Sequence, residues 1–261
     1  MISAALSVPY GNHPRQRLDV FVPAATESAL ICSIDAGWWA DGRCERGRGF
    51  ALLLAGRGYA VATLGHRPLG EGARTGDEVL TDLANAACRA LEEAQVLGFD
   101  GSSLVLVGHG SGSLAAFCLL PRLAHRVPVR ALAALGVLAT LEQGHGTAAA
   151  HIPACDRFAM ARHKDLSPLR QDPADWPPLL LLHGEHDREV PLAQAQALAA
   201  HAAGSGEAVR CEVIASAGYG FAEDALAPTS GRVLALLSHF LQEHGREGPR
   251  EASPFSARAP S

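Results

Sequence analysis

The sequence predicts an α/β fold, with a mostly parallel central sheet and helices on both of its faces. The chain has 261 residues, 48% of them hydrophobic, which is enough to bury the core of one large domain. Short apolar runs typical of buried strands alternate with longer segments of helical periodicity. Strands separated by helices are joined by crossover connections, and such connections make neighbouring strands parallel.

In the first half of the chain, two predicted strands precede a short helix, a third strand and a long helix. An alternating pattern marks the first strand, and a continuous apolar run marks the second, which we expect to be buried on both faces. The long helix has apolar side chains at helical spacing, Asp77 as its predicted N-cap and Gly98 after its last turn. The predicted bounds are 17–23, 29–34, 49–55, 58–64 and 77–97.

In the second half, a strand is predicted to enter a glycine-rich turn at 108–112, and a helix follows it. We expect this helix to end before Pro121, because proline lacks the N–H that a helix interior requires. Three more strands and a C-terminal helix complete the predicted fold. The predicted bounds are 103–107, 114–120, 129–138, 179–183, 208–215 and 232–244.

Two segments interrupt this alternation. Residues 140–175 are rich in Gly, Ala, His and Pro, which predicts a small lid inserted over the carboxyl ends of the strands. Residues 245–261 are mainly Gly, Pro, Ser, Arg and Glu, which predicts a disordered tail. The predicted organisation is therefore one domain over 1–244, including the lid, followed by the tail.

Charge and cysteine content exclude several classes of function. The net charge is −5 and the basic residues are spread along the chain, so neither nucleic acid nor an anionic membrane is an expected partner. The six cysteines are scattered without a Cys-x-x-Cys pair, as in a reduced protein. The N-terminus lacks the cationic and apolar parts of a signal peptide. These observations predict a cytoplasmic location.

Four short motifs carry the functional information. Asp-Ala-Gly-Trp-Trp at 35–39 follows a predicted strand, and Gly-His-Gly-Ser-Gly at 108–112 forms the glycine-rich turn. Leu-His-Gly-Glu-His-Asp begins at 182, and Ala-Gly-Tyr-Gly-Phe spans 217–221. Together these motifs resemble the α/β-hydrolase superfamily, in particular its small carboxylesterase and arylformamidase (kynurenine formamidase-like) branch, over roughly residues 8–243. The resemblance implies the α/β-hydrolase fold.

The same resemblance implies where a catalytic triad would stand. In such enzymes a serine on a sharp strand-to-helix turn attacks the substrate, a histidine takes its proton, and an acid orients the histidine. By this resemblance the acid is Asp187, but the nucleophile position holds Gly110 and the base position holds Tyr219. Asp35 stands where the family's oxyanion loop has histidine.

These substitutions argue against an acyl-enzyme at position 110. Glycine enters the strained turn freely, whereas another residue would cost roughly 1–3 kcal/mol there, so Gly110 stabilises the turn and removes the hydroxyl. The phenol of Tyr219 is a poor base near neutrality, although its hydroxyl can donate a hydrogen bond to Asp187. Ser111 is expected to offer its backbone N–H, because the motif spacing places the elbow at 110.

Each of the remaining candidate site residues has both a functional and a structural interpretation. Asp35 at the mouth of a pocket is either an acid or base with a raised pKa, or a turn residue that caps backbone N–H groups. Trp38 and Trp39, next to Gly37, either stack on a ligand or pack the lid. His109 is expected to pack the elbow and His186 to be solvated, and both are kept as binding candidates.

The expected function is a non-acyl-transfer reaction on a small molecule, of the lyase, isomerase, cyclase or decarboxylase type. Its expected catalytic residues are Asp35, Tyr219 and Asp187; its expected binding residues are Gly37, Trp38, Trp39, His109, Gly110, Ser111 and His186. Two alternatives are a catalytically dead ligand-binding pseudoenzyme and an ester or amide hydrolase that uses Ser111 or a bound water. No cofactor and no metal are expected, since no ligand spacing supports them. A homodimer is left open.

Overall fold

The computed structural model describes residues 1–26, 28–35, 37–204, 208–221 and 227–246. Within these residues eight strands form one sheet in the order β1-β2-β4-β3-β5-β6-β7-β8. The first strand pairs antiparallel with the second, and so do the second and fourth; all other pairs are parallel. The strands are β1 (Ile2–Pro9), β2 (Arg17–Pro23), β3 (Leu30–Ile34), β4 (Val61–Leu64), β5 (Leu104–His109), β6 (Val129–Leu135), β7 (Leu179–Gly184) and β8 (Val209–Ile214).

Helices cover both faces of the sheet, as the sequence predicts. Buried side chains of the first and last helices, such as Phe50 and Phe240, form the core on one face, and those of the second, third and fifth form the core on the other. Each core forms because its helices present apolar side chains at helical spacing to strands that are buried on both sides. The helices are α1 (Arg48–Ala55), α2 (Gly76–Val96), α3 (Ser111–Leu123), α4 (Ile152–Ala159), α5 (Leu192–Ala202) and α6 (Ser230–His244).

Two predicted helix boundaries are wrong. Thr75 is the N-cap of α2, and its side chain accepts a hydrogen bond from the Glu78 N–H at 3.3 Å, so Asp77 lies in the first turn instead. Pro121 lies inside α3 and does not end it. It is tolerated because it falls in the last turn, where the loss of one backbone hydrogen bond weakens little of the helix.

Three elements were not predicted from the sequence. The strand β1 lies at the sheet edge and is mostly exposed, so its side chains need not be apolar on one face. The helix α5 connects β7 to β8 but is rich in alanine, which gives a weak amphipathic pattern. The short helix α4 lies within the predicted lid.

The predicted lid falls between β6 and β7. This connection holds α4 and three short 3₁₀ turns, at Ala149–His151, Pro168–Arg170 and Pro173–Asp175. Of the predicted tail, only Gly245 and Arg246 are described, and Arg246 forms an isolated β-bridge with Ser28. The remainder of the tail lies outside the described residues, and the boundary at 244 stays a prediction.

Candidate active site

The glycine-rich turn joins the end of β5 to the start of α3. Gly110 has φ 51° and ψ −120°, a backbone conformation that disfavours residues with a side chain. A Cβ on Gly108 would lie 2.4 Å from the carbonyl oxygen of Gly112, and a Cβ on Gly112 would lie 2.4 Å from that of Ile34. The strand, the turn and the loop after β3 therefore approach one another as closely as backbones can.

A small recess lies beside Gly110, on the side of the sheet that carries α1 and α6. It has a volume of about 10 Å³, which is room for about one water molecule. The recess adjoins the turn, the end of β6 and the loop after β8. Its lining residues are His109, Gly110, Leu135, Gly136, Tyr219, Gly220 and Phe221.

The two serines after Gly110 hold the surrounding backbone. Ser111 is fully buried, and its Oγ accepts a hydrogen bond from the Trp38 N–H at 2.9 Å. Ser113 Oγ donates to the Gly110 carbonyl at 2.6 Å and accepts from the Leu138 N–H at 2.9 Å. Ser111 thus fixes the loop after β3 against α3, and Ser113 fixes the turn itself.

Asp35 is held by an ion pair and does not line the recess. Its Oδ2 lies 2.7 Å from Arg46 Nε, and Arg46 also lies 3.8 Å from Asp41. The next described residues, Gly37, Trp38 and Trp39, have φ values of 115°, 52° and 61°. The ion pair anchors the loop in which Trp38 and Trp39 have positive φ, and a catalytic role of Asp35 stays a prediction.

The two tryptophans pack against the lid and against the loop after β8. Trp38 stacks on His151 with ring centroids 3.9 Å apart, and lies 6.2 Å from Tyr219 with nearly parallel planes. Trp39 stacks on Phe158 of α4 at 3.9 Å. This is the packing alternative left open by the sequence; ligand binding by these rings stays a prediction. Neither indole N–H has a hydrogen-bond partner among the described residues.

The side chain of Asp187 is buried and supports its own loop. Its Oδ1 accepts hydrogen bonds from the Glu189 and Val190 N–H groups, each at 2.9 Å, and its Oδ2 lies 3.3 Å from His183 Nε2. His183 Nδ1 accepts from the Val137 N–H at 3.0 Å, so its proton lies on Nε2, which also contacts the Val190 carbonyl at 2.9 Å. Backbone groups, and not the expected Tyr219 hydroxyl, therefore bond to this carboxylate.

The binding candidates divide into those near the turn and those away from it. His109, Gly110 and Tyr219 meet at the recess. His186 does not: its side chain is 67% exposed, and its nearest charged neighbour is Glu185 at 3.9 Å. The loop after β7 directs it outward, as a solvated loop histidine would be.

A histidine–carboxylate pair between the predicted lid and the loop after β7 was not predicted from the sequence. His151 Nε2 lies 2.5 Å from Glu189 Oε2, beside the stacked ring of Trp38. These residues are 38 positions apart, and His151 lies in an alanine-rich segment without any motif. The one available signal in the sequence was that Glu189 lies two residues after Asp187, and this signal points to only one partner of the pair.

Within the described part of the chain, no three His, Cys, Asp or Glu side chains are grouped so that they could hold a metal ion. Nor does any described helix have both the length and the apolar character to cross a membrane. All six cysteines are described and are free thiols, and burial raises the pKa of Cys118 and of Cys155 to about 12.

Sequence comparison finds similarity to plant methylesterases. The chain is 28% identical over 116 residues to a probable isoprenylcysteine alpha-carbonyl methylesterase from Arabidopsis thaliana, and 29% identical over 116 residues to one from Oryza sativa subsp. japonica. The matches cover 44% of this chain, and 27% and 28% of those proteins, so the chain spans little more than a quarter of the curated relatives it matches. No protein-family model matches the chain.

Structural comparison identifies the fold. Esterase B from Lactobacillus rhamnosis superposes with a TM-score of 0.77 at 18% identity, covering 93% of this chain and 85% of that one. The apo form of Thermogutta terrifontis esterase 2 superposes with a TM-score of 0.73 at 22% identity, covering 95% and 96%. This likeness confirms the α/β-hydrolase fold.

The comparisons also correct the expected function. The similar proteins are named esterases in both sequence and structure. A lyase, isomerase, cyclase or decarboxylase is therefore the wrong expectation, and so is a catalytically dead binding protein. The hydrolase alternative agrees with these findings.

Proposed function

We propose that this chain, with its α/β-hydrolase fold, hydrolyses small carboxylic esters and uses a bound water molecule as the nucleophile. The observation that carries the proposal is the turn at Gly110. It keeps the strained φ and ψ of an elbow at the start of α3, and Gly110 lines a recess of about 10 Å³, enough for one water. The esterase names of the similar proteins support the same reaction class.

Water is favoured over Ser111 by the contacts of that serine. Ser111 Oγ is fully buried and accepts the Trp38 N–H, so its attack on a substrate would break the bond that holds the strained loop. It also follows the elbow instead of occupying it. Thermogutta terrifontis esterase 2 is phosphonylated by sarin; we expect this chain, with glycine at the elbow, not to be phosphonylated.

The start of α3 supplies the groups that stabilise negative charge on the ester oxygen. The first N–H groups of a helix have no partner within the helix and carry the positive end of its dipole. Here these are the N–H groups of Ser111 and Gly112, which point a donor pair towards developing negative charge. In this proposal Tyr219 donates a hydrogen bond to the water or to the ester oxygen, while Asp187 and Asp35 position their loops.

Substrate entry requires movement of the lid. The recess has room for one water but not for an ester, and the rings of Trp38 and His151 lie stacked nearby. The indole N–H groups of Trp38 and Trp39 are buried without a partner among the described residues, a state that costs about 1–3 kcal/mol for each such group. That cost favours an open state, or a bound molecule that accepts these hydrogen bonds.

The test is turnover of p-nitrophenyl acetate and p-nitrophenyl butyrate by the purified full chain, with a fluorophosphonate probe as a parallel assay. We expect turnover without labelling. A Gly110→Ala variant adds a methyl group to a residue that lines the recess, and should lose roughly 10-fold or more in kcat. The matched control is Gly98→Ala, because Gly98 also has a positive φ of 95° and a Cβ there would meet no described atom within 4 Å.

Three outcomes would contradict the proposal in different ways. Absence of turnover on both esters would reject ester hydrolysis by this chain. Turnover with probe labelling that disappears in Ser111→Ala would keep the esterase and reject water as the nucleophile. Equal losses in the two glycine variants would show that strain, and not the recess, controls the rate. A cytoplasmic location and a homodimer stay predictions from the sequence.

A further inference from the structure

His109 lies at the end of β5 and is almost fully buried, with 4% of its surface exposed. Its ring packs edge-on against Phe50 of α1, with centroids 4.7 Å apart. Its Nε2 lies 3.5 Å from Ser33 Oγ on the neighbouring strand β3. The ring is thus held from two sides by elements of the rigid sheet and its covering helix.

The other ring nitrogen of His109 is unsatisfied. No described residue forms a hydrogen bond with His109 Nδ1, although this atom is buried. Buried polar atoms in proteins nearly always have a partner, either a protein group or an ordered water. His109 also lines the recess, which has room for one water molecule.

We propose that His109 Nδ1 binds the nucleophilic water in the recess and takes its proton during ester hydrolysis. This inference rests on the proposed function and names its base. The contact with Ser33 accommodates the required tautomer: when Nε2–H donates to Ser33 Oγ, Nδ1 carries the lone pair that accepts a proton. His109 is then a catalytic residue, and Ser33 is a positioning residue.

During hydrolysis, His109 carries a proton from the water to the leaving alcohol. The water oxygen forms a bond to the ester carbonyl carbon while one of its protons moves to Nδ1, which gives an imidazolium and a tetrahedral oxyanion. When the oxyanion collapses, the bond from carbon to the alcohol oxygen breaks and the imidazolium returns the proton to that oxygen. The products are the carboxylic acid and the alcohol, and the histidine is regenerated neutral.

Two other histidines close to the turn are less suited to this role. Both ring nitrogens of His183 have partners, the Val137 N–H and the Val190 carbonyl. His151 is bonded to Glu189 and stacked on Trp38, and it is absent from the residues that line the recess.

Burial keeps His109 neutral and ready to accept a proton. Desolvation lowers its pKa below the ordinary value, and the negative charge of Asp35 opposes this only in part. Asp35, in the loop after β3, is itself paired with Arg46. Tyr219 lines the recess from the loop after β8. The neighbours of His109 from α1 and β6 are the uncharged Phe50 and Leu135. The rate is therefore expected to hold at pH values below the usual histidine pKa of about 6.5.

The kinetic test compares His109→Phe and His109→Asn with the wild-type chain on p-nitrophenyl acetate. Phenylalanine keeps the contact with Phe50 and removes both nitrogens. Asparagine can still hydrogen-bond a water near the Nδ1 position but cannot take its proton. We expect both variants to lose roughly 10²–10⁴-fold in kcat with little change in KM. The matched control is His244→Phe, a histidine that packs on Phe240 in α6.

Nitrogen NMR of the imidazole provides a readout that does not depend on turnover or on the folding of a His109 variant. We expect His109 to have its proton on Nε2 and a bare Nδ1, with an Nδ1 resonance that shifts in Gly110→Ala. A proton on Nδ1 would overturn the inference. So would His109 variants whose kcat stays within about twofold of an active wild type. If asparagine alone retains activity, His109 holds the water and is not the base. A wild type that hydrolyses no ester would instead reject the proposed function.

Discussion

Three glycines in the turn after β5 meet two different physical needs. Gly108 and Gly112 are required by close approach, since a Cβ on either would lie 2.4 Å from a backbone oxygen. Gly110 adopts φ 51°, a backbone conformation that glycine enters without strain. The motif therefore stabilises the elbow backbone even though the nucleophile is missing.

Replacement of Gly112 by alanine tests this close approach. The new Cβ would lie 2.4 Å from the Ile34 carbonyl oxygen and 2.7 Å from that of Asp35, and neither backbone can move freely. We expect the free energy of unfolding to fall by roughly 1–3 kcal/mol. The measurement is urea denaturation followed by circular dichroism.

Gly231→Ala is the matched control, because Gly231 is also the second residue of a helix, and a Cβ there would meet no described atom within 4 Å. That variant should be more stable than the wild type by about 0.5–1 kcal/mol, owing to the better helix propensity of alanine. If both variants changed stability equally, close packing at Gly112 would not be the reason for its glycine.

Residue-level features were predictable where they depended on local sequence. The spacing of Gly108 and Gly112 places the elbow at Gly110, and the backbone angles agree. The bond from the Trp38 N–H to Ser111 Oγ joins residues 73 positions apart, and the pair of Asp35 with Arg46 depends on a turn before α1. Such contacts follow from how the loops meet, which no local pattern in the sequence specifies.

At the scale of elements, the first half of the lid is attached to the segment that follows β7. The Ala148 N–H donates to the Glu189 carbonyl at 2.8 Å, and Gln194 Nε2 donates to Thr147 Oγ1 at 3.0 Å. The side chains of His151 and Glu189 add a contact of 2.5 Å. The segment predicted to be a lid therefore rests on the loop that carries Asp187, and the opening that the proposed function requires would break these bonds.

Removal of the His151–Glu189 contact should loosen the lid. In Glu189→Ala the side-chain bond is lost, whereas the backbone bond to Ala148 remains. A hydrogen bond of this kind contributes about 0.5–1.5 kcal/mol, so amide exchange over residues 145–160 should be about two- to tenfold faster. Hydrogen–deuterium exchange with mass spectrometry measures this directly.

The matched control is Glu142→Ala, which removes another contact within the lid, from Arg170 Nε to Glu142 Oε2 at 2.6 Å. We expect this variant to leave exchange over 145–160 unchanged. Unchanged exchange in Glu189→Ala as well would show that backbone bonds alone hold the lid closed.

The elements that the sequence predicted share strong periodicity and burial. The strands of the parallel sheet read as apolar runs because both of their faces are covered, and α2 reads as a helix because one stripe of it is buried. The edge strand β1 and the alanine-rich α5 have no comparable pattern, since solvent or weak packing leaves many residue types acceptable. The existence of elements was thus more predictable at the centre of the sheet than at its edges.

At the scale of the whole molecule, buried charged groups connect distant parts of the chain. Asp19 in β2 is fully buried and bonded to Arg48 of α1, while Asp82 of α2 is bonded to Arg67 through both of its oxygens. A buried carboxylate that loses its partner destabilises a protein strongly. These pairs fix α1 and α2 against the antiparallel end of the sheet.

Two buried histidines should make the stability of the whole molecule depend on pH. His66 and His109 are 6% and 4% exposed, and burial lowers the pKa of each; a bond from His66 Nδ1 to the Arg67 carbonyl and nearby carboxylates oppose this for His66 only in part. In the unfolded chain both titrate near 6.5, so below that pH the unfolded state binds more protons than the folded state. The stabilisation is therefore complete above about pH 6.5 and is lost as the pH falls towards the folded-state pKa values.

The expected loss in the free energy of unfolding has an upper limit set by these two histidines. Each histidine that stays neutral in the folded state contributes a decrease of about 1.4 kcal/mol between about pH 7.5 and pH 5.5, so the two together give up to about 2.7 kcal/mol. The pKa values of Glu78 and Glu142 are also shifted, but downwards, and so they act at lower pH than this window. Urea denaturation at the two pH values measures the difference, and His109→Phe should remove about half of it. A stability that is equal at both pH values, in the wild type and in His109→Phe alike, would mean that His109 titrates in the folded state as it does in the unfolded chain, and would contradict a neutral imidazole at pH 5.5.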